Sequence, residues 1–121
     1  MLYQCESLKT TLPSLQEFID FLKLFRPHEP CGRRRDTERC PIARFIDEIY
    51  YPCANIEVSP TCVAFTLKSG GRIKEPIPSN HWISRFIRFI DSAPLDVSCQ
   101  VPASEALSVA NTISIMEANS L

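Results

Sequence analysis

Residues 40–77 read CPIARFIDEIYYPCANIEVSPTCVAFTLKSGGRIKEPI, and the apolar period changes within them. Ile42, Phe45, Ile46 and Ile49 recur at i, i+3, i+4 and i+7, with Arg44, Asp47 and Glu48 opposite, which predicts an amphipathic helix. Pro41 suits its first turn, where a missing N–H costs nothing. Arg44 and Glu48 are spaced to form a weak pair on that helix. From Asn55 the period falls to two. Ile56 and Val58 share one side of a first strand, and Val63, Phe65 and Leu67 share one side of a second. Ser69-Gly70-Gly71 is a hairpin signal, because glycine tolerates the positive φ of tight turns. Arg72–Ile77 then returns as a third strand, ended or placed at an edge by Pro76. A three-stranded antiparallel meander preceded by a helix is the expected centre of the fold.

One helix precedes this centre and two follow it. Ser14 followed by Glu17 forms a capping box, and Leu15, Phe18, Ile19, Leu22 and Phe25 carry a helix as far as Arg26-Pro27. After the meander, Pro78-Ser79-Asn80 caps a helix with a wide apolar face of Trp82, Ile83, Phe86, Ile87, Phe89 and Ile90. His81, Ser84, Arg85, Arg88 and Asp91 fall on its other face. A weaker helix starts near Ala103 or Ser104 and runs through Leu107, Ala110, Ile113 and Met116. The expected fold class is α+β: a small three-stranded antiparallel sheet with helices packed against it, in the order α-α-β-β-β-α-α. One domain over residues 1–121 fits this length. Within it, residues 1–13 and 94–102 are expected to be less ordered, and 27–40 to form an exposed charged loop.

Composition narrows the function classes. The 13 basic and 14 acidic residues give a net charge of −1, so no overall pull toward nucleic acid or anionic membrane is expected. The opening residues lack a basic segment followed by an apolar one, and no run approaches the length that spans a bilayer; a cytoplasmic, membrane-free protein is expected. In that compartment Cys5, Cys31, Cys40, Cys53, Cys62 and Cys99 should stay reduced. Cys31/Cys40 and Cys53/Cys62 are spaced too widely for the paired ligands of a zinc site, so no metal and no cofactor is expected. A metal-stabilised module is the third-ranked reading. His28 and His81 are the only histidines, and no nucleophile elbow, metalloprotease motif or phosphate-binding glycine loop accompanies them. The chain therefore reads as a non-enzyme.

The most distinctive stretch is PHEPCGRRRDTERC at 27–40, with four arginines in seven positions. Arginine's planar fork suits carboxylate and phosphate partners. The expected binding residues are Arg33, Arg34, Arg35, Asp36, Glu38 and Arg39, with Arg85 and Arg88 adjacent. The leading reading is a protein-binding module, an inhibitor or adaptor that docks on an acidic surface. The alternative is a small nucleic-acid-binding regulator using the same arginines. As exposed charges, Arg33, Arg34 and Arg35 should be replaceable by alanine with almost no change in stability. The broad apolar faces of the helices at Ser14 and Trp82 also favour pairing with another chain, including a second copy.

Cys40-Pro41-Ile42-Ala43-Arg44-Phe45-Ile46, with Trp82 and Phe86-Ile87-Arg88-Phe89-Ile90-Asp91 after the strands, resembles small uncharacterised proteins of cyanobacteria, prophages and other mobile elements. Those proteins pair a Cys-Pro-(Leu/Ile)-Ala helix start with a later tryptophan and a Phe-(Ile/Val)-x-x-(Ile/Val)-Asp helix. The resemblance covers about residues 38–92 and implies no particular activity. It does imply a class in which many members occlude host machinery, anti-CRISPR proteins among them.

Overall fold

A computed structural model describes residues 12–49, 54–67 and 69–119. The expectations that fall on residues 1–11, on Tyr50, Tyr51, Pro52 and Cys53, and on Lys68 lie outside the described residues. The elements are α1 (Leu15–Leu22), β1 (Pro30–Arg33), α2 (Pro41–Ile49), β2 (Ala54–Val58), β3 (Cys62–Thr66), β4 (Arg72–Pro76), α3 (Trp82–Asp91), β5 (Gln100–Pro102) and α4 (Ala103–Asn119). The class is α+β, and β2-β3-β4 form the antiparallel meander. Among the described residues no helix is long and apolar enough to cross a membrane.

The local signals act as their chemistry requires. The Ser14 hydroxyl accepts from the Glu17 N–H at 3.1 Å, while the Glu17 carboxylate accepts from the Ser14 N–H at 3.3 Å. At the β3–β4 turn the Leu67 N–H donates to the Gly71 carbonyl at 2.7 Å, and Gly70 has a φ of 98° that only glycine adopts readily. β3 is the central strand and is buried on both sides, with Val63 and Phe65 on one face and Ala64 on the other. β4 is the exposed edge, blunted by Lys74 and Pro76.

An aromatic cluster joins the helices. Phe18 on α1 meets Phe45 on α2 at 5.3 Å, Trp82 at 5.2 Å and Phe86 at 4.9 Å on α3. The indole N–H of Trp82 donates to the Pro13 carbonyl at 2.9 Å, which ties the starts of α1 and α3 together. α4 packs across α1 and α3 through Ala106, Ala110 and Ile113.

Several expectations need correction. The element order contains a second sheet, β1 paired antiparallel with β5, so residues 27–40 are not merely a loop and 100–102 form a strand. Cys31 and Val101 from these strands are fully buried. α1 ends at Leu22 rather than Phe25, and Leu24 stands exposed. His81, not the preceding Pro-Ser-Asn, caps α3: its Nδ1 accepts from the Ile83 N–H at 3.1 Å, and burial lowers the His81 pKa. Ser84, assigned to the polar face, is fully buried, whereas Phe89 is half exposed.

Gly32 explains how β1 reaches α2. A Cβ there would lie 2.5 Å from the Pro41 nitrogen and 2.8 Å from the Arg39 carbonyl oxygen, both backbone atoms that cannot swing away. Gly32→Ala should therefore push β1 off the start of α2 and destabilise the chain by about 1–3 kcal/mol. A urea midpoint equal to that of the parent would show that this backbone approach is not needed.

Candidate binding site: an arginine-lined cleft

The loop that follows β1 is folded by Asp36. Its Oδ1 accepts from the N–H groups of Glu38 and Arg39, both at 3.1 Å, and the chain returns so that the Arg33 N–H donates to the Arg39 carbonyl at 2.8 Å. This closure sets Arg33 and Arg39 on one rim. α2 begins two residues later, and one turn along it Arg44 reaches back. Its Nη1 donates to the Pro30 carbonyl at 3.2 Å, and its guanidinium carbon sits 5.0 Å from the centre of the Phe25 ring. No Arg44–Glu48 pair forms, because the arginine is drawn toward β1 instead. The result is a cleft of about 360 Å³ lined by Arg33, Arg39, Arg44, Pro30, Gly32 and Gln100.

Among the described residues, every ionisable side chain lining this cleft is an arginine. Asp36 offers partial neutralisation, its Oδ2 lying 4.0 Å from the Arg33 Nε. The Arg39 guanidinium has no hydrogen-bond or ion-pair partner among the described residues. Glu38 lines a neighbouring cleft of about 650 Å³, which Arg44 also borders. Both signs of charge line that second cleft, and Arg72 there is already engaged by Glu57 at 2.9 Å and by the Asn55 carbonyl at 3.0 Å.

The three consecutive arginines have three different fates. Arg33 is exposed at the cleft. Arg34 is 2% exposed, and all five of its N–H groups are used. Two donate to Glu105 at 2.7 and 3.0 Å, and the others to the carbonyls of Ser98, Ile90 and Gln100 at 2.7, 3.2 and 3.3 Å. The expectation that Arg34 is an exposed binding residue is thus overturned: the sheet β1–β5 closes over it. With it goes the expectation that replacing Arg33, Arg34 and Arg35 together leaves stability unchanged. Arg35 has a φ of 57°, and its backbone N–H and Nη1 bond Asp91 and Ala93 at the end of α3, so it anchors the loop to that helix. Arg85 and Arg88 lie on α3 itself, and Arg88 donates to Ser84 at 3.1 Å. They do not line the cleft.

Comparison of the chain with family models, with curated proteins and with solved structures gives no match. The chemistry of this surface therefore rests on its own geometry.

Sequence reasoning missed Arg44 and Gln100 as neighbours of the loop and Glu105 as the partner of Arg34. Helical spacing placed Arg44 correctly on the polar face of α2, but nothing local indicated that β1 passes beside it. Among the described residues no cysteine lines the cleft. Burial pushes the thiols of Cys31 and Cys40 up to about 12, so both are un-ionised at neutral pH. Cys62 is half-buried and Cys99 exposed. Among the described residues no three His, Cys, Asp or Glu side chains converge as metal ligands.

Proposed function

We propose that the chain is a non-enzymatic binding module that docks on an acidic protein surface through Arg33, Arg39 and Arg44, acting as an inhibitor or adaptor. The observation that carries this reading is the gathering of three guanidinium groups in one cleft that, among the described residues, no carboxylate lines, with Asp36 4.0 Å from Arg33 beside it. Arginine keeps its charge at all working pH values and presents fixed donors, so it supplies binding and orientation rather than proton transfer. Glu29, Asp36 and Glu38 are interspersed with the arginines in the sequence, which disfavours a continuous phosphate backbone and favours a localised anionic contact.

The triple variant Arg33→Ala, Arg39→Ala, Arg44→Ala tests the reading. All three residues are exposed, so stability should change by no more than about 1 kcal/mol. Binding to a labelled Glu/Asp-rich peptide, followed by fluorescence anisotropy, should weaken by at least about tenfold. Equal affinity of parent and variant would remove the cleft from the interface. Tighter binding to duplex DNA than to the peptide, lost steeply as salt rises, would favour the nucleic-acid alternative.

A further inference from the structure

The same cleft carries a more specific assignment, which rests on its being an interface. We infer that it receives a single phosphate monoester, presented on a serine or threonine of the partner protein. Charge balance is the first argument. Among the described residues three guanidinium groups and no carboxylate line the cleft. Counted against Asp36, 4.0 Å from Arg33, they leave an excess of two positive charges on its walls, although Arg44 also lines the adjoining cleft with Glu38, Asp47 and Glu57. A phosphomonoester at neutral pH carries about −1.5 to −2, whereas a glutamate or aspartate carries one and leaves an arginine unmatched.

Donor geometry is the second argument. Arg39 brings an uncommitted fork, and Arg44 commits only Nη1, to the Pro30 carbonyl. That carbonyl and the Phe25 ring hold the Arg44 guanidinium in place, so part of the ordering cost is met before any ligand arrives. Forks held in this way match the oxygens of a tetrahedral phosphate through paired charge-assisted hydrogen bonds. The cleft is open enough, at about 360 Å³, to take the carrying side chain along with the phosphate. Among the described residues none lining it is aromatic, so these offer no platform for a stacked base, and a protein-borne phosphate fits better than a nucleotide.

The test uses the full chain and three labelled peptides identical except for a central phosphoserine, serine or glutamate in an alanine–glycine background. The phosphopeptide should bind at least about tenfold more tightly than the glutamate peptide. Inorganic phosphate should compete with it. Its affinity should rise as pH passes upward through about 6, where the phosphate loses its second proton. Arg39→Ala should abolish the preference, and Arg39→Lys, which keeps the charge without the fork, should restore only part of it. Thermal melts confirm that both variants fold. Equal binding of phosphoserine and glutamate peptides overturns the phosphate assignment. So does absence of phosphopeptide binding while the Glu/Asp-rich peptide still binds through the arginines; in either case docking on acidic surfaces stands. Failure of all anionic peptides overturns both.

Discussion

Arg34→Met is expected to lower stability by about 3–5 kcal/mol, the cost of removing one partner from a buried ion pair. Methionine roughly fills the space but donates nothing. The carboxylate of Glu105 and the carbonyls of Ser98, Ile90 and Gln100 would lose five hydrogen bonds together. Glu105 retains some access to water, with 37% of its side chain exposed, so the buried carbonyl contacts matter as much as the lost charge. Lysine should not rescue the site, since a point charge cannot make the forked contact. Acid provides a second readout. The hydrogen bond from Arg34 holds the Glu105 carboxyl below its ordinary value of 4.5. The unfolded chain therefore takes up this proton at higher pH than the native one. The contribution is complete above the ordinary carboxylate range and is lost as pH falls through the lowered native value. Urea midpoints at neutral pH and at pH about 4 should converge for Arg34→Met relative to the parent. A variant with the parent's midpoint at neutral pH would show that the closed sheet does not depend on this arginine.

The second large effect is expected at Phe86. It is fully buried and meets the Phe18 ring nearly edge-on at 4.9 Å, at the junction of α1, α2 and α3. Phe86→Ala should cost about 3–5 kcal/mol, from lost burial and from the cavity left among aromatic neighbours that cannot close on it. Phe18→Ala should cost about as much. The double variant should fall short of the sum, since the two rings share one contact. A near-neutral Phe86→Ala in chemical denaturation would mean that this face of α3 is not packed.

How much of this was legible follows from the range of each interaction. The helices, the meander and the Ser69–Gly71 turn are written in spacings of two to four residues, and they appear where the pattern places them, except that α1 stops a turn early. The sheet β1–β5 is not. Its strands have four and three residues, two prolines and a glycine among them, and Gly32 pairs with Val101. No period can show in so short a run. Arg34 was misjudged for the same reason: its sequence neighbours are both arginines, and its carboxylate partner lies 71 positions away. The candidate site was half legible. Composition singled out Arg33 and Arg39, while Arg44 joined them only through the course of β1 past the start of α2.

The Arg34 contacts also set an order of events during synthesis. They join positions 56 to 71 residues apart, so none can form when the arginine itself leaves the ribosome. At about 5–20 residues per second, Glu105 follows Arg34 by roughly 4–14 s. During that interval Arg33, Arg39 and Arg44 have all been made, but the strand that organises their cleft has no β5 to pair with. The nascent chain thus carries an additional unpaired arginine beside the cleft until α4 is translated, and the cleft takes its final form last.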